Sequence, residues 1–528
     1  MKYFIFRNQT IEPFFDEKGV VFSAYDDISV IAEKAEIFIW FYQVPPGEST
    51  VVAKEVDTYI EKFKMVLSRV EQNKQIVVFT LYPLANTNIV SGNISLLLAI
   101  ENFNRRVAEI SKEHKNVRIV DFSEFTVHYS QEELVNWKFY FISQTLLSPK
   151  LAKDFKHWWQ RKECELALKR KKCLVLDLDN TLWGGVLGEE GVEGIKIGGD
   201  YPGKAFTYWQ QALMNLKNTG VMLAVCSKNN EQDVFEVWGK NPYLILRKDD
   251  FVAWRINWQD KARNIQELAA ELNIGLDSMV FLDDNPTERE LIKQLLPMVE
   301  VPEFPAKPYQ LMDFFHRLVE DYFRVYSVTN EDLKKTEQYK ANAQRAAELT
   351  KFSDFDDYLR SLDIKIDVLP LDLFNLPRVA QMTQKTNQFN LTTHRYTEND
   401  IQQMANDGAL IYTISVSDRF GDNGITGEII LRPNGKDRMI IDTFLLSCRI
   451  LGKEIEFAFL DTILNLIANK GVKMVEACYI RTAKNCQVAD FFERAGFVLS
   501  DATDNEKKYF LELTQQRTVK DCYSITIK

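Results

Sequence analysis

Residues Lys172–Gly191 read KCLVLDLDNTLWGGVLGEEG, and the rest of the chain is interpreted outward from them. Cys173 to Leu176 are apolar without a break, the pattern of a strand buried on both faces of a parallel sheet. The strand runs out through Asp177, Leu178 and Asp179, and a two-residue period places both carboxylates on one side. Two acids at the carboxyl end of a buried strand repel each other and lose hydration. A divalent cation makes that placement tolerable. Asn180 and Thr181 then open a turn, and Gly184 and Gly185 let the backbone pass close to a ligand. A strand running into a polar turn accounts for Asp-Asn, but not for a second Asp on the same side.

Three further stretches repeat the theme of a strand or helix delivering a reactive group. Phe206–Thr219 has a helical pattern closed by Gly220, and the buried strand Val221–Cys226 then ends in Ser227-Lys228-Asn229-Asn230. Lys261 heads the helical stretch Lys261–Leu272. Met279–Leu282 forms a strand that delivers Asp283-Asp284-Asn285-Pro286. A lone Ser or Lys at such places is ordinarily a solvated residue. A buried strand ending in two adjacent acids has no ready structural explanation.

DxDxT after a hydrophobic strand resembles the first motif of the HAD (haloacid dehalogenase-like) phosphotransferases, and the later stretches fall in the family's motif order. The resemblance implies that Asp177 attacks phosphorus and Asp179 acts as general acid and base. It implies that Ser227 hydrogen-bonds a phosphate oxygen and Lys261 offsets the charge of nucleophile and phosphoryl group. Mg2+ is then expected on Asp177, Asp179 and Asp284, with Asp283 orienting Lys261 or water. The longer string LDLDNTLWGGVLGEEG is similar to the FkbH-like branch of HAD subfamily IIIC, whose members load a glyceryl unit onto an acyl carrier protein. The insert after Asp177 is short, so the expected cap is small and leaves the site open to a large substrate.

At 528 residues the chain is too long for one hydrophobic core, and three domains are expected. A formal charge of −10 argues against nonspecific binding to nucleic acid or to an anionic membrane. No apolar run approaches the roughly 18 residues that span a bilayer. The opening MKYFIFRNQTIEPFF lacks the apolar core and cleavage site of a signal peptide. Seven scattered cysteines fit a reducing cytoplasm better than a disulfide framework. No CxxC or HxxxH spacing suggests zinc.

The expected fold class is α/β throughout the first two domains and α+β in the last. Residues 1–146 alternate strands (Tyr3–Phe6, Ala35–Phe41, Ile76–Leu81, Val117–Phe122) with helices (Val51–Val70, Ser95–His114), implying a parallel sheet. This segment resembles the SGNH-like domain of longer FkbH-like proteins. It lacks the Gly-Asp-Ser turn and Asp-x-x-His of that fold, so a degenerate, non-catalytic domain is expected. Residues 147–170 read as a helical linker, 171–324 as the HAD-type domain with a Rossmann-like parallel sheet, 325–351 as a helical connector and 352–528 as a third domain.

In that third domain a strand, the turn Arg449-Ile450-Leu451-Gly452, the helix Phe457–Asn469, the strand Met474–Cys478 and NCQVADFFERAGF (Asn485–Phe497) follow one another. The series resembles the GNAT acetyltransferases. It implies that Arg449, Gly452 and Asn485 serve cofactor binding near a helix N-terminus. Glu454 stands where the family has a small residue and would repel a pyrophosphate. The phosphopantetheine arm of a carrier protein, with one phosphate, is therefore the expected guest. The polar stretches Gln381–Thr393 and Arg419–Gly427 suit a polyol or a pantetheine amide.

Cys448 precedes the turn and reads equally as a small buried hydrophobe or as a stabilised thiolate. The family string LSCR-x-LG, present as Leu446–Gly452, favours the thioester-forming nucleophile. Cys226 ranks second, because strand alternation turns it away from the side of Ser227. The other cysteines read as inert. The resemblance thus implies that 1,3-bisphosphoglycerate acylates Cys448, that the C3 phosphate is removed in the HAD crevice, and that the glyceryl unit passes to an acyl carrier protein. A stand-alone HAD phosphatase with a partner-binding C-terminal domain, or a non-catalytic assembly subunit, are the alternatives.

Overall fold

The computed structural model describes residues 2–32, 34–85, 94–328, 352, 354–447 and 450–528. They form two compact units, Met1–Leu166 and Ala167–Lys528. No helix among the described residues is long and apolar enough to cross a membrane.

In the first unit, strands β1 (Tyr3–Arg7), β2 (Val20–Tyr25), β3 (Ile37–Phe41), β4 (Gln75–Phe79) and β5 (Val117–Val120) lie in the order β2-β1-β3-β4-β5. All four pairings are parallel. The two-residue period divides the apolar side chains between the faces. Phe4, Phe6, Phe38 and Trp40 share a core with Val56 of the helix Ser49–Arg69 and Phe103 of the helix Ser95–Glu113. Tyr3, Ile5, Ile39 and Phe41 face the other way, toward Phe155, Trp158 and Trp159 of the helix Ala152–Leu166. That helix was expected to be part of a linker spanning 147–170. Its aromatic residues at i, i+3 and i+4 make one stripe that the sheet buries, so it belongs to the first unit's core. The edge strand β2 lacks a continuous apolar run because most of it is accessible to solvent, and sequence reading passed it over.

The second unit opens with four parallel strands, β6 (Cys173–Leu176), β7 (Met222–Ser227), β8 (Ala253–Ile256) and β9 (Met279–Leu282), in the order β8-β7-β6-β9. Leu174 and Leu176 point into one core, Cys173 and Val175 into the other, as a doubly covered central strand requires. The chain crosses from β6 to β7 on one side and later to β9 on the other. Such a switch point opens a crevice beyond the carboxyl ends of the strands. The insert after β6 comprises an antiparallel bridge between Gly184 and Lys196 and the helix Leu187–Gly194, so it is small.

The same unit continues into a mixed sheet with its own core. Its strands are β10 (Ile364–Pro370), β11 (Phe389–Asn390), β12 (Leu410–Asp418), β13 (Gly421–Pro433), β14 (Arg438–Leu446), β15 (Met474–Ile480), β16 (Val498–Ala502), β17 (Glu506–Glu512) and β18 (Tyr523–Ile527). They run β16-β17-β15-β14-β13-β12-β10-β18, with β11 paired to β14. The helix Ile455–Asn469 covers one face through Phe459, Ile463 and Ile467, and the helix Leu376–Lys385 covers part of the other. Most of the expected connector 325–351 lies outside the described residues.

Candidate active site

The groups at the crevice come from the ends of three strands and one helix. The Asp177 N–H donates to Leu282 O at 2.9 Å and ties the end of β6 to β9. The Asp177 side chain is buried, and its Oδ1 stands 3.1 Å from Lys261 Nζ. The ammonium is within ion-pair range of this oxygen, which has no other polar partner. Burial raises the Asp177 pKa even though Lys261 and the Ser227 hydroxyl favour the charged form.

Lys261 begins the helix Lys261–Glu271, whose first turn is capped by the Asp260 carboxylate accepting from Ala262 N–H at 2.7 Å. Its Nζ donates to Asp283 Oδ2 at 2.6 Å. Burial works against the Lys261 charge, but Asp177 and Asp283 outweigh it and raise its pKa. Asp283 is fully buried and accepts a second bond, 2.8 Å, from Asn285 N–H. Asp284 N–H donates to Thr181 Oγ1 at 3.1 Å, while Arg289 Nη1 donates to the carbonyls of Asp283 and Asp284 at 2.9 and 2.8 Å. These bonds fix the turn after β9. Burial raises the carboxyls of Asp283 and Asp284 as well.

Carboxylate oxygens of Asp177, Asp283 and Asp284 lie within 4.8 Å of one another. Three clustered hard-oxygen donors with a single ammonium among them, all three carboxyls raised by burial, fit a divalent cation. Because Asp283 is already engaged by Lys261 and Asn285, Asp177 and Asp284 are the donors best placed to hold it.

Asp179, expected as a third carboxylate ligand, stands outside this cluster of oxygens. Its Oδ1 accepts from Trp183 Nε1 at 3.0 Å and Leu187 N–H at 3.1 Å, and its Oδ2 accepts from Asn229 Nδ2 at 3.1 Å. The regular strand ends at Leu176, and the chain then turns through Asn180 at φ +54°. Strand alternation therefore no longer sets where Asp179 points. Asn229 also donates to Ser227 Oγ at 3.1 Å, so it links two site residues that sequence reading treated separately. Its position two residues past Ser227 was the available signal.

Beside Asp284 lies a cavity of about 400 Å³ lined by Asn180, Gly185, Lys196, Phe206 and Phe304 among others. Gly185 has φ +91°, and a Cβ there would sit 2.3 Å from Glu190 Oε1, so glycine is required. Cys226 is fully buried in the opposite core, its Sγ 3.8 Å from Lys261 O, and burial pushes its thiol well up.

In the C-terminal part of the second unit, Cys448 and Arg449 lie outside the described residues. Gly452 is exposed at φ +76°, and Glu454 adopts φ +55° and pairs with Lys520 at 2.7 Å. Asn485 is fully buried and its amide is consumed internally. It donates to Asn390 O and Ile480 O, both at 2.9 Å, and accepts from Thr482 N–H at 2.7 Å. The residue expected to serve cofactor binding thus braces the strand ends from inside. Strands β14 and β15 pair in parallel only over Arg438–Ile441 and Met474–Ala477. Beyond that, Phe389 and Asn390 pair with Leu446 and Leu445, and Ile480 N–H donates to Leu391 O at 2.8 Å. The chain's own Phe389–Leu391 thus fills the gap between β14 and β15. This part of Gln381–Thr393 completes a sheet instead of lining a binding loop.

No family model matches the sequence, and no curated protein matches it. Among solved structures, the chain is similar to the N-terminal part of the protein BF1531 from Bacteroides fragilis, described as containing a phosphatase domain complexed with Mg. The two share 26% identity at a TM-score of 0.52 over 62% of this chain and 94% of that one. The ribosomal-protein-S18-alanine N-acetyltransferase from Escherichia coli aligns with 28% of this chain and 95% of its own at 13% identity and a TM-score of 0.23, too low to carry an argument.

Proposed function

We propose that this protein is a Mg2+-dependent HAD-type phosphatase whose C-terminal third, residues 352–528, is a GNAT-like acyl-transfer domain. One observation carries the first part. The buried ammonium of Lys261 is shared by Asp177 and Asp283, and Asp284 stands beside them at a strand-end crevice. The similarity to the Mg-bound B. fragilis phosphatase domain supports the same reading.

In this mechanism Asp177 attacks phosphorus with a carboxylate oxygen, and the bond from phosphorus to the leaving oxygen breaks. Asp179, oriented by Trp183, Leu187 and Asn229, supplies the proton that the leaving oxygen takes up. It then removes a proton from water as the water attacks phosphorus, releasing phosphate and restoring Asp177. Ser227 donates to a phosphoryl oxygen and Lys261 offsets the developing charge. Asp177 and Asp284 would hold Mg2+, which would supply positive charge against the phosphoryl group.

The finer reading rests on the FkbH-like strings. A glyceryl unit from 1,3-bisphosphoglycerate is captured on Cys448 as a thioester, with loss of the carboxyl phosphate. The crevice removes the C3 phosphate, and the thiol of a carrier protein's phosphopantetheine arm takes the acyl group, in the cytoplasm. Arg449 and Gly452 would flank that exchange. The filled gap beside β14 favours a second reading, a plain phosphatase with a non-acylating C-terminal third. Intact-protein mass spectrometry after incubation with 1,3-bisphosphoglycerate and Mg2+ separates them. A glyceryl adduct on wild type that is absent from Cys448→Ala supports transfer. Phosphate release with no adduct supports the plain phosphatase. Asp177→Asn with undiminished release removes both.

A further inference from the structure

Strand β13 carries a carboxyl group that the mechanism above does not use. Glu428 is fully buried, and neither of its side-chain oxygens has a hydrogen-bond partner. Two residues earlier on the same face, Thr426 is also fully buried, and its Oγ1 too has no partner. Burying such a group unsatisfied is costly, so two neighbouring ones need an explanation.

Their surroundings are polar on one side and closed on the other. Glu428 stands opposite Thr413 on β12 and Leu445 on β14, and Asn390 on β11 is opposite Leu445 in turn. Directly opposed residues share a face, so Thr413, Glu428 and Asn390 form one row across the sheet. Ile430 and Ile411, two residues further along their strands, pack against Leu376 and Val379 of the helix Leu376–Lys385. That helix roofs the row. Arg378 on the same helix donates to Ile425 O at 3.3 and 3.1 Å and to the Gln381 side chain. The Ser447 N–H donates to Thr426 O at 2.7 Å, which sets this pair beside the exit of β14.

We propose that Glu428 and Thr426 bind the hydroxyl groups of a short hydroxylated acyl unit held by this part of the protein. The inference rests on the acyl-transfer reading above. Burial holds the Glu428 carboxyl well above the usual range, with Arg378 opposing, and in its neutral form the group offers one O–H donor and one carbonyl acceptor. A hydroxyl both donates and accepts. Two hydroxyls on a short chain would satisfy the Glu428 oxygens and Thr426 Oγ1 together, whereas an alkyl chain would leave them bare.

The test uses the full-length protein and two three-carbon thioesters of N-acetylcysteamine, glyceryl and propionyl, which differ only in the hydroxyls. In each exchange the enzyme thiol displaces the N-acetylcysteamine thiol, one thioester replacing another and one thiol proton returning to the leaving sulfur. Acylation is followed by intact-protein mass. Wild type is expected to prefer the glyceryl donor. Glu428→Leu lowers the glyceryl rate about tenfold or more and leaves the propionyl rate nearly unchanged. Glu428→Gln retains the preference, since an amide also donates and accepts, and it guards against a misfolded Leu variant. An unchanged preference in Glu428→Leu overturns the proposal and assigns the place to ordered water. Failure of wild type to take up either acyl group overturns the transfer reading, and this proposal with it.

Discussion

Lys261 Nζ lies 2.6 Å from Asp283 Oδ2, a buried contact that joins the start of the helix Lys261–Glu271 to the end of β9. The same ammonium reaches Asp177 Oδ1 at 3.1 Å. Methionine at this position would keep the length and apolar stem while stranding two buried carboxylates. Lys261→Met is expected to cost about 3 kcal/mol in urea unfolding. Phosphate release should fall about 100- to 1,000-fold. Equal stability of variant and wild type would show that the carboxylates do not depend on this cation.

Metal binding distinguishes Asp284 from Asp179. Saturating Mg2+, at about 100 times its dissociation constant, should stabilise the wild type by about 2.7 kcal/mol, a gain that EDTA reverses. Asp284→Asn should lose most of the Mg2+-induced rise in melting temperature. Asp179→Asn should keep the rise yet lose turnover, because its carboxylate is held by Trp183, Leu187 and Asn229 away from the cluster. Equal losses in both variants would restore Asp179 to the coordination set.

A pH effect follows from the mixed sheet of the second unit. His394 Nδ1 lies 3.4 Å from Asp442 Oδ2, which also accepts from Tyr396 Oη at 2.8 Å. The Asp442 hydrogen bond raises the His394 pKa against the effect of burial. A raised folded-state value means that the stabilisation is complete below the ordinary histidine value, about 6.5. It disappears as pH rises through the folded value. With 41% of the His394 side chain exposed, solvent screening holds the contribution to about 0.5 kcal/mol. The stability difference between wild type and His394→Gln should therefore shrink from pH 6 to pH 8, about that amount overall. A difference that grows over this range would reverse the assigned sign.

Asn485 is expected to matter for folding and not for phosphate chemistry. Asn485→Ala would leave Asn390 O, Ile480 O and Thr482 N–H without their partner. The expected loss is about 2–3 kcal/mol in chemical unfolding. Phosphate release by the folded fraction should be unchanged, and a selective loss of release would contradict the bracing role.

Strands β6, β7 and β9 were legible because each is a short continuous apolar run ending in a reactive side chain, a pattern local to a few residues. Lys261 was legible for the same reason, heading an amphipathic helix after a polar turn. Strands β2 and β8 were not, since β2 is largely accessible and β8 has only Ala253 and Ile256 buried. Glu428 gave no signal either. A glutamate within GEIILR reads as a surface residue until both neighbouring strands and the roofing helix are in place.

By itself, then, the sequence determined that parallel strands carry Asp177, Ser227 and the Asp283-Asp284 pair to one edge, because strand period and chain order are local properties. Only the tertiary structure decided that Asp283, and not Asp179, completes the carboxylate cluster. The backbone turns at Asn180 once the strand has ended, and no periodicity extends through a turn. It likewise decided that Phe389–Leu391 fills the gap beside β14, since that pairing joins residues more than fifty positions apart. Which distant segment reaches an open strand edge is set by the whole fold.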